Sequence, residues 1–141
     1  MSMTPREYLS QVFRLEKKIK AKEIKSAEFE SLAEGIAAPG NDGVNVSHSK
    51  NTEAPFTYWI AKKTEADEQI RDLREKQNVL KSEIMNAIEK IDDEVLQSLL
   101  VMRYLDFMTW EDVAAELSVS IATVYRWHRA ALSLIKAPEK K

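Results

Sequence analysis

Cysteine is absent from the chain, which excludes disulfides, thiolate nucleophiles and cysteine-rich zinc sites. Glycine (3) and proline (4) are scarce among 141 residues, and β-branched alternation is slight. Both scarcities work against sheet structure and predict an all-α protein. No apolar run approaches the ~20 residues of a membrane-spanning helix. The opening "MSMTPREYLSQVFRLEKK" has no apolar signal core, so a cytoplasmic protein with no membrane partner is expected. A dominant charge is missing too. Lys and Arg number 21 against 23 Asp and Glu, the net charge is −2 and the pI is about 5.8. That removes the simplest argument for nucleic acid, a strongly basic whole, yet a basic patch on one face is enough. There are only two histidines, His48 and His128, far apart in sequence. There is no phosphate-cradling glycine loop. The expectation is therefore no enzyme, no cofactor and no metal site.

What is present is helical periodicity. Thr4 and Pro5 read as a helix start, a capping hydroxyl followed by proline at the first helical position. Apolar residues recur at Tyr8, Val12, Leu15 and Ile19, fade through Lys22 and Ser26, and return at Phe29, Ala33 and Ile36. This predicts one long helix to Ala37, with a break near Ser26 as the alternative. Residues 38–55, "APGNDGVNVSHSKNTEAP", hold two of the four prolines and all but one of the glycines. They read as a flexible connecting loop, which contains His48.

A second long helix is predicted from Phe56. The positions Phe56, Trp59, Lys63, Ala66, Ile70, Leu73, Gln77, Leu80, Ile84, Ala87 and Ile91 alternate steps of three and four, a heptad seam. Lys63 and Gln77 interrupt it, and polar seam residues commonly fix register. Asp67 with Arg71 and Asp72 with Lys76 are acid-first pairs four apart. Two helices of roughly 50 Å joined by one loop suggest a long antiparallel, coiled-coil-like hairpin over 1–91. Its remaining apolar edge would make a homo-oligomer.

Residues 92–141 read as a separate domain. Asp92 or Asp93 caps a helix whose inward face is Val95, Leu96, Leu99, Leu100, Met102 and Leu105, ending near Asp106. In "TWEDVAAELSVSIATVYRWHRAAL", Thr109 and Asp112 form a capping pattern, and Val113, Ala114 and Leu117 face inward. "LSVS" turns the chain, with Ser118 where glycine is usual and Val119 plugging the gap between helices. Ser120 caps the next helix, whose inner face is read as Val124, Trp127 and then Ala131 or Leu134. Trp110 is read as a cover on the core. Arg103 is expected to pair internally with an acid such as Glu111 or Asp112. His128 is placed outward beside Arg129. The inward set fits a helix-turn-helix.

"RYLDFMTWEDVA" (103–114) and "VYRWHRAAL" (124–132) resemble region 4 of sigma-70-type RNA polymerase factors. More closely, they resemble the ArpU-like and RinA-like late transcriptional regulators of phages of Gram-positive bacteria. The resemblance covers about a third of the chain. It implies a sequence-specific transcriptional regulator, a phage or prophage late-gene activator in a bacterial host cell. The implied partners are double-stranded DNA and host RNA polymerase. The groove-facing positions it implies are Ser120, Ile121, Ala122, Thr123, Tyr125, Arg126 and Arg129. Sigma factors often carry arginines early in this helix, where this chain has Ile121, Ala122 and Thr123, so a different target sequence is implied. Charge agrees: from Ser120 onward Arg126, Arg129, Lys136, Lys140 and Lys141 face a single acid, Glu139. Two alternatives remain, a small-terminase-like packaging or assembly factor and a polymerase-binding adaptor without direct DNA readout.

Overall fold

The structure, a computed structural model, describes residues 3–37 and 49–138, with the side chains of 36, 37 and 49–54 excepted. The greater part of the expected loop (38–48, with His48) and the tail 139–141 lie outside the described residues. Among the described residues all regular structure is helical: α1 (Pro5–Ala37), α2 (Ser49–Glu89), α3 (Glu94–Leu100), α4 (Trp110–Leu117) and α5 (Ile121–Leu134). A π-helical stretch, Val101–Leu105, follows α3 directly. The chain divides into two compact units, 17–75 and the pairing of 1–16 with 76–141.

Helix α1 begins as its sequence dictates. Thr4 Oγ1 accepts from the Glu7 N–H at 3.1 Å, and the Glu7 carboxylate accepts from the Thr4 N–H at 2.9 Å. This reciprocal pair satisfies two N–H groups that the helix geometry leaves without partners. The helix runs unbroken through Ser26. Helix α2 begins at Ser49, seven residues before the expected Phe56, with Pro55 inside it. No glycine lies between Ser49 and Phe56, so Pro55 is the only strong helix breaker there, and its missing N–H forfeits one bond.

In the unit of 17–75, the polar break in the stripe is a polar contact. Ser26 is buried, and its hydroxyl donates to Asp67 at 2.6 Å. Lys63 Nζ lies 2.8 Å from the other Asp67 oxygen and 3.9 Å from Glu30. Asp67 thus bonds Lys63 and Ser26 directly, while the charge of Arg71 also favours its ionised form. The hydrogen bond from Lys63, then that from Ser26, holds its carboxyl below the usual range. Further along, Phe29 stacks on Trp59 with centroids 5.8 Å apart, and Arg74 reaches Glu23 at 3.4 Å. Partners on α2 thus step backward as α1 advances.

The other unit holds the main apolar core. Tyr8, Leu9 and Val12 from the start of α1 meet Ile84, Ile88 and Ile91 from the end of α2. Leu96, Leu99, Leu100, Tyr104, Val113, Ala114, Val124, Ala131 and Ile135 complete the cluster. This core joins residues from both sides of position 91. Gln77, a polar seam residue, is buried, and its amide donates to the Val12 carbonyl at 3.1 Å and to Glu16 at 3.0 Å. Burial without such partners would be costly.

Asp93 caps α3, accepting from the N–H groups of Val95 and Leu96 at 2.9 and 3.1 Å. The α-helix expected to reach Asp106 instead widens after Leu100. The Asp106 N–H bonds to the Val101 carbonyl at 2.9 Å, five residues back. Phe107 then takes a left-handed conformation, φ 60°. This is uncommon for a bulky residue.

Candidate nucleic-acid interface

Local chemistry sets the geometry of α4 and α5. Thr109 Oγ1 accepts from the Asp112 N–H at 3.1 Å and starts α4. Ser118 ends it in the left-handed region, φ 59° and ψ 43°. Its N–H bonds to Ala115 O at 3.2 Å, and the Val119 N–H reaches Ala114 O at 3.0 Å. A six-to-one bond of this kind closes a helix through a left-handed residue and fits any side chain only at some cost. Val119 is half-buried against the core. Ser120 caps α5, accepting from the Thr123 N–H at 3.2 Å.

The buried face of α5 is Val124, His128 and Ala131, and Ile135 just beyond its end is buried too. Trp127 is half-buried against the same core, and Leu134 is 52% exposed. The opposite face exposes Ala122, Tyr125, Arg126, Arg129 and Ser133. Of the seven groove-facing residues expected from sequence, Ala122, Tyr125, Arg126 and Arg129 share this open face. Ile121 and Thr123 are half-buried. Ser120 is exposed, but its oxygen is engaged: it accepts from the Thr123 N–H, and its hydroxyl hydrogen-bonds Thr123 Oγ1 at 3.0 Å. Arg126 reaches Thr123 Oγ1 at 3.5 Å. Tyr125 is braced edge-on by Trp110, centroids 5.5 Å apart.

Two expectations are corrected behind this face. His128 does not point outward; it is 3% exposed and lies 2.6 Å from the Tyr104 hydroxyl. Which of the two donates in this pair follows from the imidazole tautomer. Burial, and then the positive charges of Arg6, Arg103 and Arg129, push the His128 pKa down to about 4. Burial also raises the pKa of Tyr104. The signal that would have found His128 is its spacing, four after Val124 and three before Ala131. Its polarity argued the other way.

Arg103 does not pair with Glu111 or Asp112. Its Nη1 donates to the Met108 carbonyl at 2.9 Å, and its guanidinium lies over Trp110, 4.3 Å from the ring centroid. Trp110 in turn meets the His128 ring edge-on at 4.6 Å. Trp110 is thus a half-buried cover, linking the π-helical stretch to α5. Among the described residues no cluster of His, Asp and Glu has metal-binding geometry, and no helix is long and apolar enough to cross a membrane.

No curated protein and no solved structure matches the chain. Residues 40–136 match a family described as "Protein of unknown function (DUF1492)". That span includes α2 to α5, and with it the core behind Tyr125, Arg126 and Arg129. With more than half its length matched, the chain belongs to the DUF1492 family.

Proposed function

We propose that the chain is a sequence-specific DNA-binding transcriptional regulator, with α4 and α5 as a helix-turn-helix of the sigma-70 region 4 type. In this reading it serves late genes of a phage or prophage, as the ArpU-like and RinA-like regulators do. It works with host RNA polymerase, and the long helices form a coiled-coil-like hairpin that assembles copies of the chain. One observation carries the proposal. Ala122, Tyr125, Arg126 and Arg129 stand open on one face of α5, while Val124, His128 and Ala131 fix its other face in the core.

The major groove admits a helix carrying such a face. Arg126 and Arg129 supply phosphate contacts that position the helix, and Ala122 and Tyr125 supply apolar or hydroxyl contacts to base edges. The neutral start of α5 favours thymine methyl groups over the guanine contacts that arginines make.

The test is selection of bound fragments from host and phage genomes, followed by salt titration on the selected site. Each lost phosphate contact lowers the log–log salt slope by about 0.9. Arg126→Ala combined with Arg129→Ala is expected to lower it by roughly 2. Failure to enrich any fragment, or an unchanged slope in the double variant, overturns the reading. Polymerase capture without DNA affinity would leave the adaptor role in its place.

A further inference from the structure

A small cavity of about 230 Å³ lies beside the π-helical stretch, lined by Ser10, Phe13, Arg103, Tyr104, Phe107 and Thr109. Three independent features meet there. The first is the backbone. Asp106 N–H to Val101 O and Met108 N–H to Met102 O (3.0 Å) replace ordinary α-helical bonds, and Phe107 sits at φ 60°. π-turns of this kind are frequent at functional sites, and left-handed bulky residues persist only where the surroundings hold them.

The second feature is charge. Arg103 is the charged residue of the lining, and Lys81 Nζ stands 5.9 Å from the Phe107 ring centroid. No carboxylate lines the cavity. The bond to Met108 O uses one of the five N–H donors of Arg103. The hydroxyls of Ser10 and Thr109 add short polar groups. The third feature is aromatic walling. Phe13 and Phe107 stand 5.6 Å apart at 55°, and Tyr104 forms a further side.

We propose that this cavity binds a small planar carboxylate, a single aromatic ring bearing one acid group. The ring lies among Phe13, Phe107 and Tyr104, and the carboxylate takes the guanidinium of Arg103. Size agrees, since a cavity of ~150 Å³ already holds benzene. The chemistry agrees as well: guanidinium–carboxylate pairs are charge-assisted and directional, and mostly apolar walls with a few placed polar groups characterise ligand pockets. The pocket does not depend on what α5 contacts.

The experiment is calorimetric titration of the full chain with benzoate, benzamide and inorganic phosphate in matched buffer, with saturation-transfer NMR on each ligand. Benzoate is expected to saturate one site per chain. Benzamide, which lacks the charge, binds roughly tenfold more weakly, and phosphate, which lacks the ring, gains nothing over benzamide. Ser10→Phe fills the cavity and is expected to abolish benzoate binding while helicity and melting temperature hold. Where that variant loses helicity, Phe13→Ala removes one wall at a position 43% exposed and weakens benzoate instead. Absence of saturation at about 10 mM benzoate, equal binding of benzamide, or unchanged binding in the folded variants overturns the proposal.

Discussion

His128 makes the stability of the unit containing α5 sensitive to acid. In the folded chain the imidazole is buried, bonded to Tyr104 and surrounded by Arg6 of α1, Arg103 of the π-helical stretch and Arg129 of its own helix. Its pKa falls from 6.5 to about 4. The folded form therefore binds its proton more weakly than the unfolded form, so the unfolded form gains protons first as pH falls. Stability is full above pH 6.5 and is lost as pH falls toward 4. At ~1.4 kcal/mol per tenfold change in proton affinity, the loss is about 2 kcal/mol by pH 5 and about 3 kcal/mol by pH 4. That is a large share of a small domain's stability. The assay is urea denaturation from pH 7.5 to pH 4 on the native chain and on His128→Gln. The glutamine offers either an acceptor or a donor to the Tyr104 hydroxyl and does not titrate. Surface carboxylates titrate alike in both proteins, so the difference between the two curves isolates the histidine. The native protein should lose about 3 kcal/mol more than the variant over this range. Parallel curves, or a His128 pKa of 6.5 or above by NMR, would refute the reasoning.

Two further outcomes follow from backbone geometry. Ser118→Gly should raise stability by up to about 1 kcal/mol, because glycine relieves the left-handed conformation at φ 59°; a lower melting temperature would show that the serine side chain contributes there. Asp93→Ala should cost about 1 kcal/mol, since one carboxylate oxygen serves both Val95 and Leu96, and an unchanged urea midpoint would mean that water replaces the cap at no cost.

The two long helices were legible because their seams repeat many times. Every expected α2 seam position from Phe56 to Ile91 is buried or half-buried. Even the two polar interruptions proved informative, since Lys63 and Gln77 both make specific polar contacts. The start of α2 was harder to place, because proline and polar residues make a helical segment look like a loop. The widened turn after Leu100 could not be read at all. Nothing in "VMRYLDFM" distinguishes five-residue from four-residue hydrogen bonding, yet that choice redirects Arg103 from the acids of α4 to Met108 O and the Trp110 ring.

The phase of α5 shows how one polar residue can mislead. Counting only apolar residues selects Val124, Trp127 and then Ala131 or Leu134, and turns His128 toward solvent. The observed face is Val124, His128 and Ala131, continued by Ile135, with Trp127 at its half-buried margin. Burying His128 is favourable because Tyr104, buried in the core, needs a partner for its hydroxyl, and the imidazole supplies it. The consequence reaches the open face. With Trp127 half-buried and His128 inside, the exposed arc becomes Ala122, Tyr125, Arg126, Arg129 and Ser133. Both arginines thus share a surface with a tyrosine that Trp110 braces from behind. The same Trp110 touches His128 and carries Arg103. One packed group thus covers the histidine, seats the guanidinium and braces the tyrosine. A change to Trp110 should disturb all three together.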